Sequence, residues 1–208
     1  MYTMANTKKA TKLGTAMYAK TGNNIDVYVV NNGNEKRTRQ VYFIFDDPKD
    51  EADFKAEIQA EFEAFKVTAE AEGKEFDARF PAALGYEVKN GKTQFKFWTY
   101  SEYAATKDKP ATPKTLPVFV IGKGYLADDK SIGNGSKIQV AYELSPYWTS
   151  KKGFGVSLNM TQILVHDLVE FGNRSASDLS VFGIDVSGSG GVFSDTTKEE
   201  FPEEQIPF

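Results

Sequence analysis

Between Ser145 and Phe154 the chain reads SPYWTSKKGF. Three large rings, Tyr147, Trp148 and Phe154, are interleaved there with two ammonium groups, Lys151 and Lys152. Rings and ammonium groups together suit a polyanion whose own rings can stack, with bases on the aromatic faces and phosphates beside the lysines. A second set has the same chemistry. In KTQFKFWTY (Lys92–Tyr100) strict alternation puts Phe95 and Phe97 on one face and Lys96, Trp98 and Tyr100 on the other. With the phenylalanines turned to a core, the opposite face is a basic-aromatic ladder of the kind base-stacking sheets carry. Each set also has a plainer reading. Tyr147 and Trp148 fold back as lids over a barrel end, or the register is inverted and Trp98 packs beneath a helix.

Other chemistries find little support. The chain has no cysteine and a single histidine, His166, so neither a disulfide nor a zinc centre is expected. Asp46, Asp47, Asp50 and Asp53 are the one dense set of acids that suits a divalent metal, as in a carboxylate-metal nuclease. They sit at a helix start with no matching base or nucleophile. The Gly-containing segment from Gly122 to Gly135 has neither the P-loop nor the G-x-G-x-x-G spacing. No catalytic residue, metal or cofactor is therefore expected. The N-terminus lacks an apolar signal region and no apolar run is long enough to span a bilayer, which predicts a soluble, intracellular protein without a membrane partner.

The elements that position these residues are mostly strands. Leu13 to Lys20, Ile25 to Val30 and Gln40 to Phe45 are short, rich in β-formers and separated by turn residues, including a turn over Asn31 to Arg37. Asp47 and Pro48 open a helix over about 48–72, closed by Gly73. Its Phe54, Ile58, Phe62, Phe65 and Ala69 recur at helical spacing as one apolar stripe. An irregular connection runs from Glu75 to the Asn90-Gly91 turn. Tyr103 to Lys114 is a flexible basic loop carrying Lys107 and Lys109, and Leu116 to Ile121 is a buried strand. Two long arms follow. Ile138, Val140, Tyr142 and Leu144 alternate with polar residues, as do Val156, Leu158 and Met160. The second alternation slips at Ile163, Leu164 and Val165, which predicts a bulge or a strand end covered on both faces.

Charge is segregated along the chain. Residues 46–77 hold 12 acids and 4 bases, and residues 186–208 hold 5 acids and 1 base. The strand-rich remainder is net basic although the whole chain is net −4. That pattern predicts an anion-binding body with an acidic tail. An acidic helix would repel phosphates, so it should lie away from the binding face. The organisation expected is a basic arm (1–12), one β-rich domain (13–172), and a Ser/Gly linker with an acidic tail (173–208).

Specific words add to this. KLGTA at 12–16, TRQVYFIF at 38–45, TQFKFWTY at 93–100 and the stretch GNGSKIQVAYELSPYWTSKKGFGVSLNMTQILVHDLVEFG at 133–172 resemble the single-stranded DNA-binding proteins of phage T7-type podoviruses. The resemblance implies an OB fold, a five-stranded barrel with one long inserted helix. It also implies a non-enzymatic protein of phage DNA replication, recombination and repair that coats single strands in the host cytoplasm, promotes annealing and dimerises. Tyr100 and Tyr147 fall on its stacking positions, and Lys8, Lys9 and Arg39 on its basic contacts. Glu199, Glu200, Glu203, Glu204 and the terminal Phe208 match a tail that meets the phage DNA polymerase and helicase/primase and competes with DNA. Trp98 and Trp148 have no counterpart among these contacts. Outside the resemblance, OB-type barrels also serve as virion or sugar-binding modules.

Overall fold

The structure is a computed structural model that describes residues 9–29, 35–105 and 110–170. In chain order these residues form β1 (Lys9–Ala10), β2 (Gly14–Lys20), β3 (Asp26–Val29), β4 (Glu35–Phe45), α1 (Pro48–Ala71), β5 (Tyr86–Lys89) and β6 (Lys92–Tyr100). There follow β7 (Glu102–Tyr103), β8 (Thr112–Pro113), β9 (Val118–Val120), β10 (Gly124–Tyr125), β11 (Lys137–Ser150) and β12 (Gly153–Asp167). Pairing runs β11-β2-β4-β6-β12 and closes through β11–β12, so five strands form a ring. Within the ring β12 and β6 are parallel and the other pairs antiparallel. The expected mainly β fold, five strands in a ring with one long inserted helix, is present.

The helix forms as its sequence dictates. The Asp47 carboxylate accepts the Lys49 N–H at 2.8 Å, Pro48 follows at the first helical position, and Asp50 and Glu51 lie in the first turn. Phe54, Ile58, Phe62 and Ala69 are buried, and Phe65 is partly so. Phe54 is the centre of the packing. Its ring lies 5.1 Å from Phe95, 5.1 Å from Tyr142, 5.5 Å from Phe45 and 5.9 Å from Phe97. One helical side chain thus joins β4, β6 and β11.

The strands differ from their sequence reading in three places. Glu35–Arg37, read as turn, begins β4 and pairs with β3 from Val29↔Glu35 to Asp26↔Thr38. Tyr86–Lys89, read as irregular, is β5, joined to β6 by Asn90 and Gly91. Both turn residues have positive φ, 53° and 72°, the conformation that a tight Asn-Gly hairpin requires. The largest difference is at Ser145–Phe154. No ten-residue loop exists: β11 and β12 stay paired, with a register shift at Thr149, out to Ser150↔Gly153, and only Lys151 and Lys152 form the tip. The slip in β12 is a bulge, since Ala141 pairs with Gln162 while Tyr142 pairs with Met160.

An ion pair ties the helix entrance to the ring. The Lys137 ammonium donates to both oxygens of Asp46 at 2.8 and 2.9 Å, and the Thr15 hydroxyl donates to Oδ1 at 2.9 Å. Burial alone would raise the Asp46 carboxyl, but these hydrogen bonds outweigh it and hold the group below its ordinary value. A depressed carboxyl contributes stability above its unfolded-state value and loses that contribution as pH falls through the folded-state value. Asp46→Asn should therefore lower the unfolding temperature near neutral pH and change it little in strong acid. Thermal unfolding followed by circular dichroism at both pH values checks this, and an equal loss in acid would rule the linkage out.

Candidate nucleic-acid interface

The period-two alternation of β6 decides what faces out. Phe95 and Phe97 are fully buried, whereas Lys96 and Tyr100 are exposed and Trp98 is half-buried. Trp98 lies on the outer face, not beneath the helix. It meets Tyr100 edge-on at 5.1 Å. Tyr147 joins them from across the sheet. Asn159 of β12 pairs with Trp98 on one side and with Glu143 of β11 on the other, and Ser145, Tyr147 and Thr149 continue along the same face of β11. Lys96, Trp98, Tyr100, Tyr147, Ser157 and Asn159 line one open depression of about 610 Å³. Burial raises the Tyr147 phenol, so it stays a neutral ring at physiological pH.

A second depression, about 400 Å³, lies on the other side of Trp98. It is lined by Asp26, Tyr28, Thr38, Gln40, Lys96 and Trp98. Lys96 and Trp98 belong to both, so the two form one outer surface crossing β3, β4, β6, β12 and β11. No α1 residue lines either depression. Lysines are poised over the rings: the Lys96 ammonium is 5.8 Å from the Tyr42 ring, and that of Lys36 is 5.5 Å from Tyr100 and donates to its hydroxyl at 3.3 Å. This surface offers flat rings, mobile ammonium groups and small polar side chains. It suits a chain of stacked, negatively linked rings.

Several expected contacts lie elsewhere. Phe154 is a core residue, 5% exposed and stacked 6.2 Å from Phe62 and edge-on to Phe76 at 5.1 Å. Because β12 begins at Gly153, its ring turns inward beneath α1 rather than out from a loop. Trp148 faces away from Tyr147, since neighbouring residues of a strand alternate. It packs on the core and donates its indole N–H to the Glu75 carbonyl at 3.0 Å. Lys151 ion-pairs with Glu75, which raises its ammonium, and Lys152 sits 5.0 Å over the Phe80 ring. Both are at the exposed hairpin tip and line neither depression. Lys9 pairs with Glu57 on the helix at 2.9 Å. Arg39 donates to the carbonyls of Gly22 (3.1 Å), Lys114 (2.7 Å) and Ser101 (3.4 Å), and so clamps three loops instead of lining the outer surface. Lys8, Lys107, Lys109 and the tail residues Glu199, Glu200, Glu203, Glu204 and Phe208 lie outside the described residues.

Other surface residues had no place in the sequence reading. Tyr28, Thr38 and Gln40 come from β3 and β4, and Ser157 and Asn159 from β12. Counting outward from buried Val41 and Phe43 assigns Gln40 and Tyr42 to the outer face. Tyr28 needs the β3–β4 pairing, which short-range pattern does not contain.

Comparison with known proteins points the same way. A family model described as single-stranded DNA-binding protein, bacteriophage T7, matches residues 10–168. A protein of Escherichia phage T7 described as single-stranded DNA-binding protein is 32% identical over 120 residues, 55% of this chain and 51% of the relative. One of Enterobacteria phage T3 with the same description is 35% identical over 85 residues, 40% of this chain and 36% of the relative. The matched regions thus span about half or less of these relatives. Among solved structures, gp2.5, a single-stranded DNA-binding protein encoded by bacteriophage T7, superposes with a TM-score of 0.57 at 24% identity, covering 89% of this chain and 100% of that one. The single-stranded DNA-binding protein of bacteriophage Enc34 gives 0.50 at 11% identity, covering 83% and 88%. At these identities the two structures share the fold with this chain.

The position of Arg39 has a measurable consequence. Hydrogen bonds from a charged donor contribute about 1.5–3 kcal/mol, less where solvent reaches them, so Arg39→Met should destabilise the protein by about 1–2 kcal/mol. Urea unfolding measures the loss. An unchanged midpoint would free Arg39 for the basic-contact role that the resemblance implies.

Proposed function

Because the chain belongs to the bacteriophage T7 family of single-stranded DNA-binding proteins, we propose that it coats single-stranded DNA along the outer face of β3, β4, β6, β12 and β11. Bases stack on Trp98, Tyr100 and Tyr147, and Lys96 and Lys36 neutralise the phosphates between them. The reading is that of a binder, not an enzyme. The observation that carries it is the outward row Lys96, Trp98 and Tyr100 with Tyr147 facing it across one depression. Binding of this kind is tolerant of sequence, because every base has a π face, and it weakens with salt. The work of such a protein is phage DNA replication, recombination and repair in the host cytoplasm, including the annealing of complementary strands by a homodimer. Its acidic tail contacts the phage polymerase and helicase/primase.

Each stacked base contributes about 1–3 kcal/mol, so Trp98→Ala, Tyr100→Ala and Tyr147→Ala should each weaken oligo-dT binding by that amount with the fold intact. Lys96→Gln should lower the slope of log K against log salt by about 0.7 if it neutralises one phosphate. Trp148→Phe retains the apolar contact and should leave affinity near the parent value. Fluorescence titration at several salt concentrations reads all of these. Undiminished affinity in the three ring variants would refute the stacking surface.

The tail acids and Phe208 are proposed to occupy the same surface when DNA is absent. Removing residues 195–208 should then tighten oligo-dT binding, most at low salt where screening is weak. Equal affinity of both forms would leave the tail only a partner-binding role.

A further inference from the structure

The smaller depression has a chemistry that stacking and phosphate neutralisation do not use. Thr38 and Gln40 are only 4% and 8% exposed, yet both side chains line it. Neither has a side-chain hydrogen bond among the described residues. Their polar atoms open into the depression rather than being sealed in the core, where among the described residues Thr21 Oγ1 and Gln94 Oε1 are the unpartnered ones, so both can hydrogen-bond to a bound molecule. Beside them stands the Asp26 carboxylate. Its Oδ1 accepts from the Lys20 ammonium, while Oδ2 accepts from no described residue. A carboxylate is an unsuitable contact for a phosphate, since both are anions. Paired with Lys20 it does not repel the backbone strongly, and it remains an acceptor for N–H groups. Tyr28, 42% exposed, and the half-buried Trp98 also line it. Lys96 supplies a donor at the rim.

We infer that this depression is a base-reading pocket that admits one nucleobase against Trp98 and favours guanine. Guanine presents two adjacent donors, N1–H and N2–H₂, to the Asp26 carboxylate. Its O6 and N7 acceptors suit the Lys96 ammonium and the Gln40 amide N–H₂. Thymine presents a single N3–H flanked by two carbonyl oxygens, which would set acceptors against Asp26. Adenine and cytosine each present one amino group next to a ring acceptor, which leaves half of the carboxylate unmatched. The pocket therefore adds a local preference to an otherwise sequence-tolerant surface. This inference rests on the reading of that surface as the single-strand site.

The test compares plain oligo-dT with the same oligomer carrying isolated dG, dA or dC residues, spaced so that guanines cannot associate with one another. Affinities come from fluorescence titration of the full chain. Isolated dG should tighten binding about 10-fold over plain oligo-dT, the effect expected of one well-made pair of base-edge hydrogen bonds. Asp26→Asn replaces one acceptor by a donor, and Gln40→Met removes the amide at similar size. Each should bring the dG-to-dT ratio close to one, and circular dichroism verifies the fold of both. Equal binding of plain and dG-bearing oligomers by the parent protein would overturn the pocket while leaving the stacking surface standing. A dG preference that survives both substitutions would overturn it too, because its source would lie elsewhere. Failure to bind any oligomer would remove the single-strand reading and the pocket with it.

Discussion

The burial of Phe95 and Phe97 against Phe54 is the constraint from which the rest of the surface follows. A strand alternates its side chains, so fixing these two inward obliges Lys96, Trp98 and Tyr100 to face outward. A slip of one residue would exchange the sets and drive the Lys96 ammonium into the aromatic core, where an unpaired charge costs several kcal/mol. The helix lines neither depression, yet it selects the register that makes the surface. Phe54 extends the same control to β11 through Tyr142, whose hydroxyl donates to the helix residue Glu57 at 2.9 Å. Burial, then the charge of Glu57 and its hydrogen bond, raise that phenol and keep the proton in place. Helix and strands are therefore joined by apolar packing inside and by charged hydrogen bonds at the margin, from Tyr142 and Lys9 to Glu57 and between Thr93 and the pair Glu51 and Lys55.

What could be foreseen from the sequence was what short-range physics determines. The Asp47-Pro48 start, the stripe from Phe54 to Ala69, the Asn90-Gly91 turn and the alternation of β6 and β11 each rest on a few neighbouring residues. The misreadings share one cause, which is that the deciding partner is distant in the chain. Ser-Pro and Lys-Lys-Gly look like loop chemistry, but β11 and β12 are long enough for their ladder to run through Pro146 to the tip. Phe154 then falls opposite Phe62 and Phe76, and its burial could not be read from its own neighbourhood. Arg39 is expected to be a basic contact because the resemblance places it there. Only the closed ring brings the carbonyls of Gly22, Ser101 and Lys114 to its guanidinium.

Glycine at position 155 shows how tightly the hairpin is held. Gly155 is opposite Tyr147 in the ladder, and a Cβ there would lie 2.0 Å from the Ala83 carbonyl oxygen. That carbonyl accepts the Val156 N–H at 2.8 Å, and the Ala83 N–H donates to the Phe154 carbonyl at 2.9 Å. The segment before β5 therefore pairs with the start of β12. No side chain thus stands directly opposite Tyr147 in the ladder.

The lysines of the surface present an apparent conflict, because one of them already lies over a ring that a base would use in the proposed complex. Lys36 sits over Tyr100 and Lys96 over Tyr42. An exposed cation–π contact contributes about 0.5–1 kcal/mol, whereas a stacked base contributes about 1–3 kcal/mol, so in the proposed complex the exchange favours the base. A displaced ammonium group does not return to bulk water. In that proposal its stem would leave it within reach of the phosphate attached to the displacing base, so the salt-sensitive contact would form together with the stack. In free protein these contacts hold two ammonium groups beside rings of the outer face, so a chain of net negative charge presents cations there.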